Sequence, residues 1–232
     1  MPPTNGLLMK KNIPRLKNAK TGKKKTAAKR LILAGDIGGT KSLLGLFEVR
    51  GSELKPLKKA RFRNKDFGGV EPLIALFLKK TGAQSVLKAV LAVACPVEDN
   101  KGVLTNVSAV SQKETGLKPV STGWEVDGGR IKKTLGLKEV LLINDLVATG
   151  HSIAHLAKKD IVILQKGGKK TGNAAVIAAG TGLGEAILFW DGARHIPSAT
   201  EGGHADFAPH NPLESRLLSH LTNIYGHVSF ER

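Results

Sequence analysis

Between residues 31 and 48 the chain reads LILAGDIGGTKSLLGLFE, two apolar runs joined at Asp36 by a Gly38-Gly39-Thr40 corner. Strand-like composition on both sides of a glycine pair predicts a strand, a tight turn and a second strand. Leu54 to Arg63 continues as a third antiparallel strand, and the leucine spacing of Val70 to Lys80 predicts a short amphipathic helix. Lys88 to Cys95, KAVLAVAC, is an uninterrupted apolar run stopped by Pro96. Continuous apolar character predicts a central parallel strand with helices above and below. Residues 96 to 123 read as a loop region, Trp124 to Leu137 as a helix, Val140 to Ile143 as a short buried strand and Leu146 to Ala157 as a helix. A short strand is expected at Ile161 to Leu164. Residues 174 to 190, AAVIAAGTGLGEAILFW, then repeat the opening pattern of strand, glycine-threonine turn and strand. Residues 196 to 209 read as a polar loop, and Asn211 to Asn223 as a helix. The expected class is mixed α/β.

Composition changes this picture at the N-terminus. The formal charge is +17, but residues 1 to 30 hold ten of the 36 Lys and Arg and none of the 19 Asp and Glu. That stretch has two early prolines and no sustained amphipathic period, which predicts a solvated basic arm. Contact of the arm with nucleic acid is the less favoured reading. No apolar run approaches the ~18 residues that span a bilayer, and no secretory signal opens the chain, so a cytoplasmic location is expected. The single cysteine, Cys95, has no partner for an internal disulfide and reads as a buried thiol.

The candidate chemistry lies at the two glycine corners and at two polar clusters. Gly38, Gly39 and Thr40 offer backbone N–H groups to an anion because glycine holds nothing off, and Asp36 stands at the same point to hold a hydrated cation. An ordinary hairpin is the plainer reading of that corner. A P-loop is excluded, since it needs glycine where Thr40 precedes Lys41-Ser42 and a helix where strand is expected. Gly180, Gly182 and Gly184 are too closely spaced for a dinucleotide fingerprint. Two such corners suggest a duplicated fold holding one phosphate chain between its halves, with two unrelated hairpins as the alternative. Asn144-Asp145 stands where a strand ends and a helix opens, a place where α/β folds put ligands and also where these residues cap helices. Glu201 and His204 are three apart across two glycines, so both could turn toward the hydroxyls of a sugar.

The set DIGGTK at 36 to 41, ACP at 94 to 96, TN at 105 to 106, IND at 143 to 145, GTGLG at 180 to 184, EGGHADFAP at 201 to 209 and GHVSFER at 226 to 232 resembles bacterial-type glucokinases. Each motif alone is weak; seven in order across residues 31 to 232 are specific. The resemblance implies an actin-like ATPase (ribonuclease H-like) fold, with residues 31 to 145 a complete N-terminal α/β domain and residues 146 to 232 the beginning of a second. It implies transfer of the γ-phosphoryl of ATP to the 6-hydroxyl of glucose, with ATP and Mg²⁺ as cofactors. Asp145 would be the general base. Asn106, Asn144, Asp145, Glu201, His204 and Glu231 would bind sugar. Asp36, Gly38, Gly39, Thr40 and Lys41 would form the first phosphate motif, and Gly180, Thr181 and Gly182 the second. Asp36 would hold Mg²⁺ through water. Glucose and ATP are the implied partners, with room for a homodimer.

Three departures from the family pattern modify these expectations. Family members continue past GHVSFER into a glycine-rich segment that cradles adenosine, so the second domain is expected to be incomplete, to expose apolar surface and to support little activity alone. A longer stretch than usual separates Asn106 from Trp124, and the basic arm has no family counterpart. The alternatives are a non-catalytic sugar-binding or regulatory remnant and a sugar kinase of the repressor/kinase group. The latter is disfavoured because its usual cysteine-rich zinc motif is missing.

Overall fold

The computed structural model describes residues 30–83, 85–105, 107, 123–168, 170–180 and 182–231. The greater part of the basic arm and of the stretch between Asn106 and Trp124 lies outside them, as do Asn106 and Thr181 themselves.

The first sheet grows from the opening hairpin. Strand β1 (Leu31–Ile37) pairs antiparallel with β2 (Lys41–Arg50), which pairs with β3 (Glu53–Arg63). β1 sends Leu31, Leu33 and Ile37 into the core. Gly35 shares that face because Leu91 and Leu44 fill its space: a Cβ there would lie 2.7 and 2.9 Å from their methyl carbons. β3 is the sheet edge. It carries Lys55, Lys58, Lys59, Arg61 and Arg63, and it places Pro56 at the register shift opposite Phe47, where a missing N–H does least harm.

Helix α1 (Val70–Thr81) follows, buries Val70, Leu73, Ile74 and Phe77, and ends at Gly82 in the left-handed conformation. Strand β4 (Val86–Val93) returns parallel to β1. Its burial is one-sided, which corrects the expectation of cover on both faces. Ala89, Leu91 and Val93 are buried, while Lys88 is exposed and Val90 and Ala92 are half-buried. The core to which α1 contributes Leu73, Ile74 and Phe77 covers the first face, and the second is less covered.

Strand β5 (Lys101–Leu104) pairs with β6 (Trp124–Asp127), and helix α2 (Gly128–Leu135) opens immediately after. The loop expected at 96 to 123 therefore contains a strand, and the helix expected from Trp124 starts four residues later. Trp124 and Val126 are buried in alternation, a period of two, and the Asp127 side chain caps α2 by accepting from Arg130 N at 3.0 Å. Strand β7 (Glu139–Asn144) joins β4 in parallel, giving the order β3-β2-β1-β4-β7. Asn100, at φ 61°, hydrogen-bonds β7: its Nδ2 donates to Val140 O at 3.0 Å and its Oδ1 accepts from Leu142 N at 2.7 Å.

Helix α3 (Asp145–Ile153) leaves β7 and packs on the second sheet, made of β8 (Ala174–Ala179), β9 (Leu183–Trp190) and β10 (His195–Thr200) in antiparallel order. This meander repeats β1-β2-β3, so the second glycine corner occupies the position of the first. β10 corrects the expectation of a loop from residue 196, since His195 to Thr200 pairs along β9. No strand forms at Ile161 to Leu164. Val162, Ile163 and Leu164 are 82, 70 and 95% exposed and have no neighbouring strand to complete a ladder. Beside β1 the sheet continues through parallel β4, whereas β8 is an edge among the described strands and exposes Ile177. Helix α4 (Pro212–Tyr225), capped by Asn211 through Glu214 N, buries none of its residues. No helix of the described residues is long and apolar enough to cross a membrane.

Candidate active site

A cleft of about 1140 Å³ opens between the two sheets. Its wall combines the β1–β2 corner (Gly39, Thr40, Lys41), the segment after β4 (Ala94, Cys95, Pro96), the β7–α3 junction (Asn144, Asp145), the β8–β9 corner (Gly180, Gly182) and the cluster Glu201, His204 and Glu231. Asp36 and Gly38 are not part of that wall. Gly38 N donates to Lys41 O at 3.1 Å, closing the first corner behind it.

Asn144 is both a cap and a wall residue. Its Oδ1 accepts from Leu146 N at 2.9 Å and Val147 N at 3.3 Å, while its Nδ2 donates to Cys95 O at 3.2 Å. The cap stops β7 and starts α3, and the bond to Cys95 ties that junction to the end of β4. Asp145, next in line, takes Leu146 N on Oδ1 at 2.9 Å. Burial raises its pKa, the Leu146 N–H opposes the rise, and the charges of Asp36 and Glu201 add to it. Asp36 is on the first sheet and Glu201 directly follows the last strand of the second, so both sides of the cleft act on this one carboxyl group. Asp36 keeps a face open to solvent, yet desolvation raises its pKa as well. Burial first, and then the charge of Asp145, push the Cys95 thiol up, consistent with an inert buried thiol.

On the second side, His204 Nε2 lies 3.6 Å from Glu201 Oε2 and 3.8 Å from Glu231 Oε2. A 3-10 turn at Gly202–His204 brings Glu201 and His204 to one rim. Glu231 reaches them because Glu231 N donates to Gly203 O at 3.0 Å and Phe230 N to Ala205 O at 3.1 Å. Glu231 also touches the second corner: its Oε2 accepts from Leu183 N at 3.2 Å, and a Cβ on Gly182 would lie 2.6 Å from its carboxyl carbon. Glycine at 182 is what lets that carboxylate approach.

Several wall residues had no distinct signal in the sequence. Glu185 and Thr200 face the cleft from β9 and β10, and Thr200 Oγ1 donates to Glu185 O at 3.3 Å. Glu185 immediately follows the GTGLG corner, so adjacency to that motif was the available clue. Asn64 and Ser42, buried beneath the first corner and outside the wall, gave none.

The crossover order of the first sheet, the repeated meander and the ligand cleft between them define the actin-like ATPase fold class. A family model described as Glucokinase matches residues 33–232, and the chain belongs to the glucokinase family. It is 39% identical over 207 residues to the glucokinase of Trichormus variabilis, covering 87% of this chain and 56% of that protein. With the glucokinase of Caulobacter vibrioides it shares 32% identity over 205 residues, covering 86% of this chain and 57% of the relative. A crystal structure of glucokinase from an Antarctic psychrotroph superposes with a TM-score of 0.65 at 25% identity, over 87% of this chain and 59% of that one. The glucokinase of Balamuthia mandrillaris in complex with glucose, at 20% identity and a TM-score of 0.62 over 89% of this chain and 60% of that one, shares the fold. The chain thus spans somewhat more than half the length of these relatives.

Proposed function

We propose that the cleft belongs to an ATP-dependent hexose kinase that transfers the γ-phosphoryl group of ATP to the 6-hydroxyl of glucose. The observation that carries this reading is the convergence of Asp145 with both glycine corners on one cleft wall. Asn144, Glu201, His204 and Glu231 are assigned to sugar hydroxyls; their amide, imidazole and carboxylate groups supply the mixed donors and acceptors a sugar requires. Asp145 takes the proton of the attacking hydroxyl, and a carboxyl whose pKa is raised by burial accepts it more readily than a solvated one. Gly39, Thr40 and Lys41 are assigned to one end of the phosphate chain, and Gly180 and Gly182 to the other. Family relationship adds Asn106 and Thr181 to the sugar and phosphate sets respectively.

Among the described residues no group of three or more His, Cys, Asp or Glu is placed to grip a metal ion directly, so a magnesium ion would be held largely through water. Asp36 and Asp145 sit close enough for the charge of the first to raise the pKa of the second, which is the unfavourable pairing that a divalent cation relieves. Asp36 would hold the ion, chiefly through its waters. When bound, Mg²⁺ neutralises phosphate charge. The change from the five-stranded sheet that ends at β7 to the three-stranded sheet that follows α3 supports an N-terminal domain at 31–145 and the start of a second at 146–232, following an arm at 1–30.

A non-catalytic sugar-binding role is the second reading, favoured by the exposure of Ile177, Ile187, Phe189, Leu213 and Leu217 on the second sheet and α4. A coupled assay for glucose 6-phosphate decides between them, run on this chain and on a version lengthened to match its relatives. The kinase reading expects ATP-dependent product from the lengthened protein and little from this chain. Glucose binding by both with product from neither would establish the second reading.

A further inference from the structure

Strand β3 ends at Arg63, and Asn64 opens a 3-10 turn with a side chain that is completely buried. Every polar atom of that side chain is engaged. Asn64 Nδ2 donates to Gly38 O at 2.6 Å and to Gly39 O at 3.1 Å, and its Oδ1 accepts from Ser42 Oγ at 2.7 Å. Its backbone contributes as well: Asn64 N donates to Thr40 O at 2.9 Å. One residue, more than twenty positions downstream, therefore holds the carbonyls of Gly38, Gly39 and Thr40.

The direction of those carbonyls has a chemical consequence. The described peptide bonds are trans, and in a planar trans peptide the N–H points opposite to the C=O. Drawing the oxygens of Gly38 and Gly39 back toward Asn64 turns the N–H groups of Gly39 and Thr40 the other way. Gly39 and Thr40 line the cleft. Glycine-rich corners flip their peptides easily, and a flip of either bond would aim a carbonyl oxygen at the place where an anion is to sit.

We propose that Asn64 is a positioning residue for phosphate binding, which locks the first corner in the orientation that presents the Gly39 and Thr40 amides to the phosphate chain. It rests on the reading of this cleft as a phosphate site. The amide side chain suits the task because it offers two donors and an acceptor on one plane; aspartate would set a carboxylate against two carbonyls.

The test uses the full chain and three variants: Asn64→Ala, Asn64→Asp and Ser42→Ala. Magnesium tripolyphosphate and glucose are titrated separately by calorimetry, and amide hydrogen exchange is followed by NMR without ligand. Asn64→Ala and Asn64→Asp are expected to weaken tripolyphosphate binding about tenfold or more, the equivalent of one or two lost hydrogen bonds, with glucose affinity unchanged within about twofold. The Gly38 amide, which donates to Lys41 O across the corner, should exchange about tenfold faster in both. Ser42→Ala leaves both Nδ2 bonds in place and should keep tripolyphosphate affinity near wild type. Equal loss of both ligands, or wild-type phosphate affinity with unaltered exchange, would overturn the assignment. If the wild-type chain ignores tripolyphosphate, the phosphate-site reading fails separately. The exchange of the Gly38 amide then still decides whether Asn64 sets the corner.

Discussion

Gly150 offers a direct measure of how firmly the catalytic candidate is seated. It lies on the buried side of α3, five residues after Asp145. A Cβ built there would stand 2.8 Å from Leu188 Cδ2, 2.8 Å from Pro197 Cβ and 2.9 Å from Pro197 Cγ. Carbon atoms prefer about 3.5 to 4.0 Å, so Gly150→Ala must open each contact by roughly 1 Å. Leu188 can rotate in part, but the Pro197 ring is rigid and sits in β10. The remaining relief is for α3 to lift off the sheet. Overpacking of this kind costs about 1–3 kcal/mol, whereas alanine in place of glycine inside a helix gains about 1 kcal/mol. The expected net effect is a loss near 1 kcal/mol, read by urea unfolding at unchanged slope. Lifting α3 also carries Asp145 away from Glu201, so glucose affinity should fall together with stability. A gain of about 1 kcal/mol with unchanged glucose affinity would mean that helix propensity acts unopposed. The close seating of α3 would then be refuted.

Asp145→Asn should separate stability from chemistry. Burial raises the carboxyl pKa in the folded state, so the ionised group opposes folding, and that cost appears as pH climbs through the folded-state value. The asparagine variant should therefore melt higher than wild type near pH 7, converge with it near pH 3 and bind glucose, and in the lengthened protein it should transfer no phosphoryl group; a lower melting temperature near pH 7 would contradict the sign. Asn100→Ala should lose about 2–3 kcal/mol, from two hydrogen bonds to β7 and the strain of alanine at φ 61°, while Asn100→Gly, free of that strain, should lose less. Equal losses in chemical denaturation would show that the backbone conformation is not part of the cost. Asn144→Ala should cost about 1–2 kcal/mol in chemical denaturation by uncapping α3, and Asn144→Asp, which retains an acceptor for Leu146 N and Val147 N but sets a carboxylate against Cys95 O, should recover only part of it.

Much of this protein was legible in short stretches of residues. The opening hairpin, α1, the β7–α3 junction and the second glycine corner each follow from the period of apolar positions together with glycine or asparagine at a turn or cap. Such signals are set by neighbours a few positions apart. The order of the motifs likewise carried the family. Other features depended on partners distant in the chain. Lys101 to Leu104 became a strand because Trp124 to Asp127 lies beside it, and Ile161 to Leu164, richer in β-branched residues, found no such neighbour. The same holds for the site. The sequence named Asp145 as a candidate, but only the packing of α3 between two sheets brought Asp36 and Glu201 close enough to perturb it. Asn64 had no local mark at all, since its role consists of bonds to residues more than twenty positions away. Side-chain periodicity and turn chemistry are written locally, whereas burial, charge proximity and the direction of a peptide dipole exist only once distant segments meet.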